Sequence, residues 1–258
     1  MEMRYFYAMK KAWLILFLSL FLGKWHAQTV SPKDSSLAVF TVSASGGFMA
    51  PIGSLADRYN AAYLIGGDVR YKWTSNWLLG GSGHYFFGSA PKETALLSTV
   101  LPLIAADGSF PAVDVSFRGM AFQATLGKIL PFKSLNPNTG LHLQIGAGYT
   151  EYHNRISVLS GFVPQLEGDY LRGYDRLSAG FVFSQSVGYT HFSNSKTINF
   201  FVHLEVMQLL VKSMRGYQFD LGAQESGHRL EWMLGVKAGW IIPFYPRNKY
   251  RHIEFRNP

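Results

Sequence analysis

One stretch, Ala61–Gly88, restricts the fold more than any other: AAYLIGGDVRYKW, then TSN, then WLLGGSGHYFFG. In the first run Tyr63, Ile65, Gly67, Val69, Tyr71 and Trp73 share one face, and Leu64, Gly66, Asp68, Arg70 and Lys72 share the other. In the second, Trp77, Leu79, Gly81, Gly83, Tyr85 and Phe87 oppose Leu78, Gly80, Ser82, His84 and Phe86. A period of two is that of a strand. Thr74-Ser75-Asn76 is a short polar turn, so the stretch reads as a β-hairpin. Its apolar face ends in two tryptophans at the turn; the other face carries three charges and a histidine. A soluble sandwich would bury the apolar face and leave the charges in water. A membrane barrel would turn the apolar face to lipid and the charges to its lumen.

The rest of the chain favours the barrel. Besides the two strands of Ala61–Gly88, the alternation recurs at about Leu37–Pro51, Val115–Phe132, Leu141–Ile156, Leu177–Phe192, Ile198–Val211 and Leu230–Tyr245. Connections after the second, fourth and sixth strands are short. Those after the third, fifth and seventh are long: Ser89–Asp114, Ser157–Arg176 and Lys212–Arg229. Short periplasmic turns and longer extracellular loops give that rhythm, with the short first loop, Ile52–Asn60, as the exception. The strands exceed the globular mean of about 5–6 residues and suit tilted membrane spans. The expectation is an all-β, eight-stranded antiparallel up-and-down transmembrane β-barrel over residues 37–245. Aromatics fall where two interfacial girdles would need them. Trp73, Trp77, Phe132, Phe192, Phe244 and Tyr245 lie near the short turns; Tyr63, Phe87, Phe117, Tyr152 and Trp232 lie near the long loops.

Composition agrees. Charged residues make up only 16%, against about a quarter in soluble domains. The absence of cysteine excludes disulfides, thiolate metal sites and a lipoprotein anchor. Residues 1–27 read as a signal peptide: Arg4, Lys10 and Lys11 precede the apolar run Ala12–Leu22, and Ala27-Gln28 is a plausible cleavage point. Residues 28–36 are a polar lead-in, and 246–258 a basic periplasmic tail with Arg247, Lys249, Arg251 and Arg256. Of the net charge of +8, the leader carries three, leaving 20 Lys+Arg against 15 Asp+Glu. These charges are scattered and form no aromatic-basic nucleic-acid motif, so lipid headgroups are the expected partner and nucleic acid is not.

In the barrel register, Asp68, Arg70, Lys72, His84, His203, Glu205, Glu231 and Lys237 all point into the lumen. Eight strands enclose an interior that side chains just fill, and buried charges must pair. The expectation is a plug, with Glu205 and Glu231 set against Arg70 and Lys237. A narrow pore for small solutes or ions, porin-like, is the alternative. A lipid A-modifying enzyme is a third reading; it would need a nucleophile and base from Ser82, His84, His203 and Glu205, and no motif surrounds them. No catalytic residue, metal site or cofactor is therefore assigned. Gly46, Gly47, Gly80, Gly81, Gly146 and Gly148 are expected to relieve crowding in a tightly curved wall. Among the loops, Ala95–Ala106 is apolar and uncharged, which suits either a protein partner or a lid over the mouth. Asp169, Arg172, Asp175 and Arg176, with Tyr170 and Tyr174, read as a salt-bridged loop base.

The leader with Ala27-Gln28, the hairpin YKWTSNWLLGG, the segment VPQLEGDYLRGYDRL (Val163–Leu177) and the end LGVKAGWIIPFY (Leu234–Tyr245) resemble the small outer-membrane β-barrel proteins of Bacteroidota. These belong to the broad OmpA/OmpX-like eight-stranded class of Gram-negative membrane proteins. The resemblance implies outer-membrane localisation and a structural or accessory role, type IX secretion and gliding among the settings. About a dozen residues follow Tyr245, so the peptidoglycan-binding domain of the longer members is not expected.

Overall fold

A computed structural model describes residues 36–89, 91–92, 104–132, 136–194, 197–219, 222–223, 225 and 227–245. The leader, all of the lead-in but Ser36, residues 95–103 of the apolar loop and the basic tail lie outside the described residues. The strands are β1 (Val39–Ile52), β2 (Ala62–Lys72), β3 (Trp77–Gly88), β4 (Val113–Pro131), β5 (Gly140–Val158), β6 (Ser178–Phe192), β7 (Asn199–Ser213) and β8 (His228–Phe244). Each pairs antiparallel with its sequence neighbour, and β8 closes on β1. Two short helices, α1 (Ser54–Arg58) and α2 (Gly168–Leu171), sit in the first and third connections of one end, the loop end. No helix among the described residues is long and apolar enough to cross a membrane.

The pairing fixes the geometry of closure. Starting at Thr41, the partners run Arg70, Gly80, Thr125, Gly146, Ser184, Met207 and Met233, and return to β1 at Pro51. The circuit therefore comes back ten residues nearer the loop end, a stagger that tilts the strands by roughly 35–45°. A cross-strand row climbs toward the loops as it passes from β1 to β8.

At the opposite, turn end, the β2–β3 hairpin closes as the polar TSN implies. Asn76 adopts φ 63°, a left-handed conformation that asparagine tolerates better than other side-chain-bearing residues. Its amide donates to the Trp73 carbonyl at 2.9 Å. Asn76 also accepts from Ser36 Oγ at 2.8 Å and donates to the Pro137 carbonyl at 2.9 Å, joining three segments at that rim.

Polarity is inverted relative to a soluble protein. Ile65, Phe122, Phe181, Leu204 and Ile242 are each more than half exposed on the outside. Asp68, Gln123, His142, Glu205 and Lys237 are buried inside. An exterior this apolar would not stay dispersed in water; in lipid it meets its own kind.

Four aromatic assignments are corrected, one of them Tyr245, which packs against the inward cluster of Val39, Leu78 and Ile241. Phe117, Tyr152 and Phe192 are 4%, 3% and 2% exposed and point inward, not to a girdle. Phe117 shares the odd-numbered face of β4 with Gln123 and Thr125; Tyr152 and Phe192 share the even-numbered, inward faces of their strands. Trp73, Trp77, Phe132, Tyr63 and Trp232 are exposed on the outside, while Phe87 and Phe244 are half-buried there. The glycines also divide. A Cβ on Gly47, Gly80 or Gly148 would strike neighbouring backbone, and one on Gly146 would meet Gln123 and Ser184; Gly46 and Gly81 face outward with nothing closer than 3.5 Å.

Candidate functional site

Reading along single strands shows how the lumen is layered. On β7 the inward residues from the turn end are Asn199, Phe201, His203, Glu205, Met207, Leu209 and Val211; on β8 they are Ile241, Gly239, Lys237, Gly235, Met233 and Glu231. Between Asn199 at the turn end and Glu231 at the loop end, apolar, polar and apolar follow one another. The lower apolar layer consists of Val39, Leu78, Ile129, Phe192, Phe201 and Ile241. The upper includes Met49, Leu64, Phe86, Phe117, Met207 and Met233, with Leu55 and Tyr59 folded in from the α1 connection. Tyr59 packs its ring on Phe117 at a centroid distance of 4.8 Å.

Between these layers lies the charge belt. Asp68, Arg70, His84, His203, Glu205 and Lys237 lie there; Lys72, which pairs with Val39 and Leu78, is level with the lower layer, Glu231 lies beyond Met233 toward the loops, and all eight are at most 5% exposed. Lys237 Nζ is 2.8 Å from Glu205 Oε2. Arg70 does not pair with a glutamate: its guanidinium lies 2.6 Å from Asp68 Oδ1, two residues away on the same face of β2. Ser43 donates to the other Asp68 oxygen at 3.2 Å, and Arg70 lies over the Phe201 ring at 5.6 Å. Room for that ring comes from Gly239, where a Cβ would fall 2.5 Å from Phe201 Cε1. His142 and His203 stack edge to face at 4.7 Å, and His142 Nδ1 meets Thr190 Oγ1 at 2.9 Å. No group of three or more metal-ligating side chains forms among the described residues.

Glu231 belongs to a different group, at the loop end. It accepts from the Tyr152 hydroxyl at 2.5 Å and from Arg229 Nε at 3.1 Å, with Arg58 Nη1 at 3.8 Å. Arg229 also donates to Ser178 at 2.8 Å and lies 2.6 Å from Glu225. Burial raises the Glu225 carboxyl, but the Gln218 amide, Arg229 and Arg58 more than offset this and hold it below its ordinary value. Reasoning from sequence missed Arg229 and Tyr152 as partners of Glu231. Arg229 stands two residues from Glu231 on one strand face, and that spacing was the available signal.

Lys72 takes three oxygens at the turn end: Asn138 Oδ1 at 2.8 Å, the Leu37 carbonyl at 3.0 Å and Ser36 Oγ at 3.1 Å. It thus ties the lead-in to the β4–β5 turn. At the loop end, Ala105, the described end of the apolar loop, packs with Ile156, Val163, Leu166 and Tyr174. In the loop base, Asp175 pairs with Arg215, whose Nε is 2.8 Å from Oδ1.

Ser82, His84, His203 and Glu205 do not assemble into a nucleophile–base pair, because neither ring nitrogen of His84 or His203 has a hydrogen-bond partner among the described residues.

No protein-family model matches the sequence, and no curated protein matches it. Solved structures of small barrels do. Ail, the attachment invasion locus protein of Yersinia pestis, in complex with the heparin analogue sucrose octasulfate, is 10% identical, with a TM-score of 0.42 over 79% of this chain and 97% of that one. Neisserial surface protein A is 11% identical, with a TM-score of 0.38 over 79% and 96%. Ail in a phospholipid bilayer nanodisc is 12% identical, with a TM-score of 0.29 over 77% and 98%. The likeness is confined to the outline of the fold; the barrel itself is fixed by the strand pairing described above.

Proposed function

We propose that the chain is a non-enzymatic, integral outer-membrane barrel of a Gram-negative bacterium, serving as a structural or accessory component of the envelope. The observation that carries this reading is the filling of the lumen: the buried ion pairs Arg70–Asp68 and Lys237–Glu205 lie between two clusters of buried apolar side chains. An ion crossing either layer would lose its hydration without replacement, at a cost of several kcal/mol. The lipid-like exterior supports the location, and the absence of any hydrogen bond to the ring nitrogens of His84 or His203 among the described residues weighs against the one nucleophile–base set considered above. Exposed Ile104, Phe110, Leu159 and Phe162 on neighbouring loops support a protein partner at the end where Ala95–Ala106 lies. Type IX secretion as the setting follows from the resemblance of the sequence alone.

Reconstitution into a planar bilayer tests the reading. The expected record is a flat baseline with no stable unitary conductance. Regular ohmic steps would overturn it in favour of the narrow pore.

A further inference from the structure

Two carboxamides interrupt the apolar outer wall. Gln185 is the central residue of the 15 in β6, and strand parity sets it outward with Phe183 and Val187. Gln208 faces outward on β7 with Val206 and Leu210. Gln185 is exposed and Gln208 half-buried, and neither side chain is hydrogen-bonded among the described residues. These are the two outward amides of the eight strands; Gln123, Gln144, Asn154 and Asn199 all point into the lumen. Outward polar groups nearer the barrel ends do find partners. Lys128 donates to the Ser75 carbonyl at 2.6 Å, Glu151 accepts from Tyr149 at 3.0 Å, and His191 meets the Tyr189 hydroxyl at 3.4 Å.

The register sets one amide above the other. Gln185 pairs with Val206, and Gln208 lies two residues nearer the loop end on β7. One strand spacing is about 4.8 Å and two residues along a strand about 6.6 Å, so the step between them is inclined by about 36° to the strand. The ten-residue stagger tilts the strands by a matching angle, roughly 35–45°, and rows rise from β6 to β7. The step therefore runs along the barrel axis, and the two amides stand about 8 Å apart on one vertical line. Around them Ile145, Val187 and Leu204 are exposed, an aliphatic face without charge.

Hydrocarbon offers an amide no hydrogen bond, and leaving one unpaired there is costly. In lipid such side chains pair across the contact between neighbouring membrane segments. We propose that this face is where two copies of the chain meet side by side in the membrane, Gln185 against its own counterpart and Gln208 against its own. The inference rests on the outer-membrane reading above. A carboxamide both donates and accepts, so two identical ones satisfy each other through a reciprocal pair of N–H···O bonds. Two copies inserted in the same sense carry each amide at the same depth. A twofold axis along the membrane normal applies the same patch to itself. Because both amides lie on one vertical line, a single axis serves both. A partner of another kind would need two polar groups about 8 Å apart at the same two depths.

The test is disulfide trapping of the full chain folded into phosphatidylcholine liposomes. The chain has no cysteine, so one introduced thiol reports alone. Val206→Cys, beside Gln185, should give a disulfide-linked dimer on oxidation with copper phenanthroline. Ile65→Cys, on the far wall at β2, should stay monomeric. Adding Gln185→Leu and Gln208→Leu to Val206→Cys should lower the dimer about tenfold, because reciprocal bonds at two depths are lost. Leucine suits a lipid-facing wall, so these variants should keep the faster gel migration of an unboiled barrel. No more dimer from Val206→Cys than from Ile65→Cys, or a yield that the leucines leave unchanged, would overturn the proposal. The same oxidation in cells overturns it too if Val206→Cys is trapped only to a different protein. A wild type whose unboiled band does not migrate faster would sink the membrane reading, whereas a folded barrel that stays monomeric would sink only the pairing.

Discussion

Glu205 and Lys237 show what a buried ion pair contributes in a barrel core. Each is 1% exposed, and they lie 2.8 Å apart. Removing one partner strands the other charge, which costs about 3–5 kcal/mol, whereas replacing both by apolar groups is often neutral. Glu205→Met should therefore lower the urea midpoint of the folded barrel sharply, and Glu205→Met with Lys237→Met should recover most of the loss. A double variant as unstable as the single one would contradict this. At this scale much was legible: alternation places every one of the eight charged or histidine residues on its face. What it does not give is the partner. Asp68 was a closer mate for Arg70 than either glutamate, two residues away on the same face, yet the expectation looked across the lumen. Phe117 lies near a loop, yet its strand parity, shared with Gln123 and Thr125, turns it inward.

Each end of the barrel depends on one element being tied to others. At the turn end, Lys72 binds the lead-in and the β4–β5 turn through neutral oxygens only. Asn138→Ala removes the shortest of these bonds, and a buried ammonium is expensive to leave short of acceptors. The variant should lose about 1–3 kcal/mol and expose the lead-in to protease; an unchanged digestion pattern would contradict the tie. At the loop end, Glu225 is held below its ordinary value of 4.5. A depressed carboxyl contributes stability that is complete above its unfolded value and lost as pH falls through its folded one. The heat-unfolding midpoint should therefore fall on acidification below 4.5, and Glu225→Gln should flatten that part of the profile. Profiles that superimpose would remove Glu225 from the account. Neither tie was readable in the sequence: Lys72 and Asn138 are 66 positions apart and meet only because the turns share one rim.

Over the whole molecule, strand number, connection rhythm and the inward set follow from period-two alternation, because a one-residue slip would exchange lipid and lumen faces on every strand. The ten-residue stagger does not follow from it. That stagger decides which side chains from distant strands become neighbours, and so the layering of the lumen emerges only with the register. The central claim is a closed barrel whose apolar face meets lipid. Its most direct test is cell fractionation followed by gel electrophoresis with and without boiling. The account predicts protein in the outer-membrane fraction whose unboiled band migrates faster than the boiled one. Soluble periplasmic protein with a single band, boiled or not, would contradict it and require the same alternating faces to be packed against each other in a sandwich.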